Sequence, residues 1–299
     1  MISDQEIAEI TARLTGDQVR YVVGKHTAVI VVTSSTILKI RGETSAGDVS
    51  AAAGLEAAWL RQFAPLPAHA TVVDVGLGPR SVLVMPRLPE DDCAAKRLTD
   101  GQFSDAHLDR VTKRLTRPEI LRGSGCVARS VLAENLALNL ERQIHHLPQL
   151  TAASTAVLRK AVDRLLQPWY NRTDTTELVA HRNAFSPNVF VGAEVRLIDP
   201  QLSPDPVTML PWFGDLATFE VDLLVHGHPN HSSVDRVRDQ LSDEDQSVFR
   251  AVSVVKTLVR WRFAEYERKA AAEDWRRQQN LLVCAHAEAL ALQLAANGQ

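Results

Sequence analysis

An α+β chain is predicted, with strands gathered in the first third and helices filling the remainder. Three observations carry this reading. Between residues 20 and 85, β-branched and apolar runs recur between turn residues. Beyond residue 103 the apolar residues fall mostly at helical spacing. One short hairpin interrupts the helical part: Phe190 and Val191, then 195 to 198, about a Gly192-Ala193 turn.

In chain order, Ile7, Ile10 and Leu14 predict a first helix over 4–14 that stops at Gly16. Strands follow at 20–23, 28–33 and 36–40, punctuated by Gly24-Lys25-His26 and Ser34-Ser35. A helix over 49–63 carries Leu55, Trp59 and Phe63 on one face and ends before Pro65 and Pro67. Strands at 72–75 and 81–85 complete a five-stranded antiparallel sheet. Pro86-Arg87-Leu88-Pro89 then marks a boundary between a first lobe, 1–87, and a helical second lobe, 88–299. The second lobe is predicted to hold helices at 104–116, 128–145 and 151–168. Ser242-Asp243-Glu244-Asp245 opens another, running to about 269 with Phe249, Val252, Val255, Leu258 and Val259 on one stripe. A final helix covers 271–296.

With 299 residues and 45% hydrophobic content, the chain can bury a substantial core. Its net charge of -3 leaves no basic footprint for nucleic acid. Cys93, Cys126 and Cys284 lie far apart without a CxxC, as expected of reduced thiols in a cytoplasmic protein. The acidic start, Met1-Ile2-Ser3-Asp4-Gln5-Glu6, lacks the apolar region of a signal peptide. Polar residues interrupt the apolar stretch 281–296, so no membrane span is expected. No internal repeat or low-complexity tract is evident.

The chemistry concentrates in His181-Arg182-Asn183-Ala184-Phe185-Ser186-Pro187-Asn188, followed past the hairpin by Arg196-Leu197-Ile198-Asp199-Pro200. The hairpin brings Asn188 and Asp199 to neighbouring places. A carboxamide beside a carboxylate is a hard-oxygen pair suited to Mg²⁺ that keeps waters and phosphate oxygens. The spacing H-R-x-x-x-x-x-N, then an Asp, matches a kinase catalytic loop and its metal-binding Asp. Lys39 lies inside an apolar strand and Glu56 on the next helix, on a face with Ala52, Leu60 and Phe63. Such a lysine needs a partner, which Glu56 can be. The alternative is an edge lysine and a solvent-facing glutamate.

These residues resemble the aminoglycoside phosphotransferase family, small-molecule kinases of the protein-kinase-like fold, whose loop usually reads H-G-D-x-x-x-x-N before I-D. The resemblance implies a bilobal fold and an ATP (or GTP) and Mg²⁺ site. Lys39 would grip the α- and β-phosphates, Asn188 and Asp199 would hold Mg²⁺, and the backbone around Met85, Arg87 and Leu88 would meet the purine. His181 and Asp215 would support the loop, Asp215 by accepting backbone N–H bonds or by capping the next helix. Gly24-Lys25-His26-Thr27, with one glycine, would be a phosphate-covering loop or simply a turn.

One letter departs from the family: Asn183 stands where its catalytic Asp stands. A carboxamide cannot accept a proton from a hydroxyl at neutral pH, and losing a general base costs typically about 10²–10⁴-fold. Three accounts compete. The chain is a base-deleted variant made to trap a complex, a natural slow kinase, or a pseudokinase that binds nucleotide and signals or scaffolds. The otherwise complete set of Lys39, Glu56, Asn188 and Asp199 favours a working kinase scaffold.

The expected acceptor is a hydroxylated small molecule, plausibly an antibiotic or other natural product, because 201–213 is too short for a long phosphorylated loop and lacks A-P-E. Arg182 accordingly has no phosphorylated client, and Pro200 argues against an aromatic-flip switch. Asp205, Glu220 and Asp222 are the acidic residues in the region of the family's acceptor site. His226, His228 and His231 read as polar surface more readily than as a zinc site. His145-His146 sit near a helix end, and Trp212, Phe213 and Trp261 read as aromatic core. The oligomeric state is not specified by any of these features.

Overall fold

Alternation of apolar side chains with period two, broken by turn residues, builds the first sheet. The computed structural model describes residues 2–24, 28–41, 46–75, 78–117, 125–178, 181–202, 205–267 and 274–296. The chain divides into two units, the first reaching Glu90 and also including Arg196–Ile198, the second comprising most of the rest.

In the first unit, α1 (Asp4–Leu14) precedes β1 (Val19–Gly24), β2 (Ala28–Thr33) and β3 (Thr36–Arg41). Helix α2 (Ala46–Phe63), β4 (His69–Val75) and β5 (Gly78–Pro86) follow. The sheet is antiparallel in the order β1-β2-β3-β5-β4, with Lys39 opposite Ile30 on one side and Leu83 on the other. The predicted five strands are all present. Ser3 caps α1 through a reciprocal bond pattern with Glu6. Ile7 and Ile10 of α1 pack with Leu38, Ile40, Val73, Val82 and Val84 of the sheet. Since successive strand residues face opposite sides, Lys39 and Arg41 point away from that core. The face assigned to α2 needs correction at Leu55, which is 60% exposed, whereas Trp59 is buried as expected, together with Ala53, Glu56, Ala57 and Leu60. Glu56, though charged, belongs to the inward face because two cations of β3 meet it there.

The second unit holds α3 (Ala94–Thr99), α4 (Asp105–Leu115), β6 (Cys126–Ala128), α5 (Arg129–His145), α6 (Ala152–Tyr170) and β7 (Thr175–Glu177). Further along the chain come β8 (Val189–Val191), β9 (Val195–Leu197, which belongs in the main to the first unit), α7 (Gly214–Val225), α8 (Ser232–Arg238), α9 (Asp243–Glu267) and α10 (Asp274–Ala296). Helices α3 and α8 and the β6–β7 pair were not expected; each is too short to carry a periodic signal. Helix α6 continues past Pro168 to Tyr170 because Trp169 is completely buried beside Phe213, under the Arg129 guanidinium, with Nε1 donating to Asp245. The expected ends at 269 and 271 lie outside the described residues.

Helix α9 is not the one-striped helix expected. Val248, Ala251, Val254 and Trp261 are buried along with the predicted stripe, so it is covered on all sides. Helix α7 is likewise buried almost throughout, although it carries Asp215, Thr218, Glu220 and Asp222. Phe213 and Trp261 are buried, and Phe213 stacks between Trp169 and Phe249. Among the described residues, no helix is long and apolar enough to cross a membrane.

Candidate active site

In the first unit the strand period places Lys39 and Arg41 on one face of β3. Lys39 Nζ lies 3.0 Å from both Glu56 carboxylate oxygens, and Arg41 Nη2 is 2.5 Å from Oε2. Arg41 was missed from the sequence, although two cations two residues apart on a strand necessarily share a face. One carboxylate, only 4% exposed, thus receives two cations of the same strand.

At the end of β5, Met85 and Leu88 are buried. The Arg87 N–H already donates to the Ser35 carbonyl at 2.7 Å, and its guanidinium contacts the Thr33 carbonyl and the Glu90 carboxylate. Arg87 therefore braces the turn between β2 and β3, with its N–H engaged. Lys25, His26 and Thr27 of the expected phosphate loop lie outside the described residues.

In the second unit, His181 is completely buried, and its Nδ1 accepts the Asn183 N–H at 3.3 Å. Gln201 N–H bonds to the His181 carbonyl at 2.8 Å, joining the segment after Asp199 to the loop. Asn188 Nδ2 donates to the Asn183 carbonyl at 3.0 Å. Asn183 Nδ2 donates to the Asp199 carbonyl at 2.8 Å and lies 3.5 Å from its Oδ2. Since a carbonyl can only accept, the amide is oriented with its NH₂ toward Asp199. Asn183, Asn188 and Asp199 thus form one connected set.

Arg182 and Asp199 have φ of 59° and 56°, the described non-glycine residues in left-handed backbone. That conformation costs an ordinary residue roughly 1–2 kcal/mol, and such strain gathers at functional loops. Arg182 is held from both sides. Its N–H donates to Asp215 Oδ2 at 3.2 Å, and its carbonyl accepts from Lys256 Nζ at 2.9 Å. Asp215 is fully buried at the start of α7 and acts on the loop backbone; α7 itself carries no side-chain cap. Burial pushes the Lys256 amine down to about 8, against the attraction of Asp215.

Two further expectations change. Asp205, Glu220 and Asp222 do not form an open acidic surface: Asp205 pairs with Arg142, Glu220 with Arg238, and Asp222 with Arg260. His226, His228 and His231 are half-buried struts, His226 on the Asp222 carbonyl, His228 on the carbonyls of Phe103 and Asn230, and His231 on the His228 carbonyl. At the turn of the β8–β9 hairpin, a side chain on Gly192 would strike Asp92 Oδ2 at 2.4 Å, and Arg110 grips the carbonyls of Gly192 and Ala193.

No protein-family model matches the chain, and no curated protein matches it in sequence. Solved structures do match along its whole length. A choline/ethanolamine kinase family protein from Mesorhizobium loti aligns over 99% of each chain, at 16% identity and a TM-score of 0.55. The GDP complex of aminoglycoside 2'-phosphotransferase-IIIa aligns over 96% of this chain and 98% of its own, at 11% identity and a TM-score of 0.56. The fold is that of the protein-kinase-like small-molecule kinases. Choline kinase LicA from Streptococcus pneumoniae extends the same likeness, at 13% identity and a TM-score of 0.52, over 96% of this chain and 99% of its own.

Proposed function

We propose that the chain is a nucleotide-dependent phosphotransferase acting on a hydroxyl of a small molecule. The observation that carries the proposal is the linked set of Asn183, Asn188 and Asp199 beside two left-handed residues, Arg182 and Asp199. Strained backbone held by buried groups is the expected cost of presenting oxygen ligands in a fixed pose. The pair of cations that meet at Glu56, Lys39 and Arg41, adds a second observation that favours a polyphosphate.

In this reading Lys39 meets the α- and β-phosphates of ATP or GTP, and Glu56 keeps its amine oriented. Asn188 and Asp199 supply the oxygens that fit Mg²⁺, which when bound would neutralise charge on the phosphoryl oxygens. The purine bonds to backbone between Met85 and Leu88, but not to the Arg87 N–H, which Ser35 already engages. Asn183 orients the acceptor hydroxyl through Oδ1 and leaves its proton to solvent or to the departing phosphoryl group. The acceptor is an antibiotic, choline-like or other hydroxylated metabolite.

A pseudokinase that binds nucleotide without turnover is the second reading, and the engaged Asn183 amide favours it. Phosphoryl transfer from labelled ATP and GTP to a panel of aminoglycosides, amino alcohols and other hydroxylated natural products separates the two. Transfer to any acceptor that rises in Asn183→Asp supports the kinase. Mg²⁺-dependent nucleotide binding with no transfer in either form supports the pseudokinase, and no nucleotide binding removes both.

A further inference from the structure

Besides Glu220, helices α7 and α9 bury three charged side chains that the proposed chemistry does not use: Asp222, Lys256 and Arg260. Each buried ion carries a desolvation penalty of several kcal/mol, so good partners are required. Lys256 and Arg260 are four residues apart and share one face of α9. Asp215 and Asp222, seven apart, share one face of α7.

Both faces meet the backbone of 181–188. Asp222 Oδ2 accepts the Ser186 N–H at 2.7 Å, while its Oδ1 accepts from Arg260 Nε at 3.0 Å. The Ser186 hydroxyl accepts from Gln279 Nε2 of α10 at 3.1 Å, and Asn280 lies 3.5 Å from Arg260 Nη1. Lys256 holds the Arg182 carbonyl, and the buried Phe185 ring has Lys256 Nζ 5.7 Å and Arg260 Cζ 5.9 Å from its centre. The loop is thus bonded at 182 and at 186, either side of Asn183 and two residues before Asn188. Since an unpaired buried backbone group costs about 1–3 kcal/mol, these side chains fix where the loop backbone can lie.

We infer that Lys256, Asp222 and Arg260 are positioning residues: with Asp215 they form a charged frame behind loop 181–188 that sets the pose of Asn188. This rests on the metal–nucleotide reading above. Groups that orient metal ligands from behind typically govern about 10–100-fold in metal affinity.

The test is ATP binding by calorimetry, in Mg²⁺ and in EDTA, on the full chain and on Lys256→Met, Lys256→Arg, Asp222→Asn and Glu220→Gln, with circular dichroism to check folding. Glu220 is a buried acid of the same helix, bonded to Arg238 and not to the loop. Folded Lys256→Met and Asp222→Asn are expected to keep metal-free ATP binding and to lose about tenfold or more in Mg²⁺-dependent affinity. Lys256→Arg, which keeps a donor, recovers part of it, and Glu220→Gln keeps all of it. A folded Lys256→Met with the full Mg²⁺ effect, or an equal loss in Glu220→Gln, overturns the positioning role. If Asp222→Asn does not fold, Gln279→Ala replaces it, with loss supporting the role and retention opposing it. An unaltered chain that binds ATP without any Mg²⁺ effect overturns the metal–nucleotide reading instead.

Discussion

At position 183 a carboxamide donates a hydrogen bond where a carboxylate could only accept one. Asn183→Asp would supply a base, for which transfer should rise by about 10²–10⁴-fold. It would also remove the bond to the Asp199 carbonyl and set a second carboxylate beside Asp199 Oδ2. Leaving that carbonyl without its donor should cost about 1–3 kcal/mol, read as a lower midpoint in urea. Gain in turnover together with loss of stability is the expected pair of outcomes. At position 182 the φ of 59° strains a residue that carries a Cβ, as Arg182 does. Glu220 gives a pH dependence. Burial raises its carboxyl from 4.5 to about 7, outweighing Arg238, which is shared with Asp235. The folded state then holds the proton more tightly, so this contribution is full below pH 4.5 and is lost as pH rises through 7. The loss is about 3 kcal/mol, and denaturation of Glu220→Gln between pH 4 and 8, roughly the window set by linkage, should lack that slope.

Among elements, α2 shows how far pattern reading goes. Its extent was legible from its apolar content and the prolines after it, but of Leu55, Trp59 and Phe63 only Trp59 is buried. Small alanines and one paired glutamate face inward beside it, which hydrophobicity alone does not reveal. Leu60→Ala should therefore cost about 2–5 kcal/mol, and Leu55→Ala under about 0.5 kcal/mol, measured by chemical denaturation. Helices α7 and α9 carry the same lesson. Asp215 was legible as a support of the loop backbone, but the burial of Asp222, Lys256 and Arg260 was not, because their partners lie on other elements or in the loop.

For the whole molecule, the proposed nucleotide binding would be coupled to folding. A ligand that binds the native state alone at 100 times its Kd adds about 2.7 kcal/mol of stability, so under the proposal saturating ATP with Mg²⁺ should raise the thermal midpoint. Lys39→Met would remove the proposed charge-assisted contact of about 1.5–3 kcal/mol. It should weaken that affinity roughly tenfold to a hundredfold and shrink the thermal shift measured at fixed ATP, while α2 keeps Arg41 on Glu56.

The order of the longer helices, the five-stranded antiparallel sheet and the hairpin after Asn188 follow from the sequence alone, since two-residue and 3.6-residue periods and turn residues act locally. The Lys39–Glu56 contact was also legible, because strand and helix geometry each present one residue to the same side. Only the tertiary structure decided which charged groups are buried and what they hold. Arg41 on Glu56, Asn183 on the Asp199 carbonyl, and Asp222 and Lys256 on the loop backbone join residues far apart in sequence. Such bonds arise only when packing excludes water and leaves each polar group a single partner.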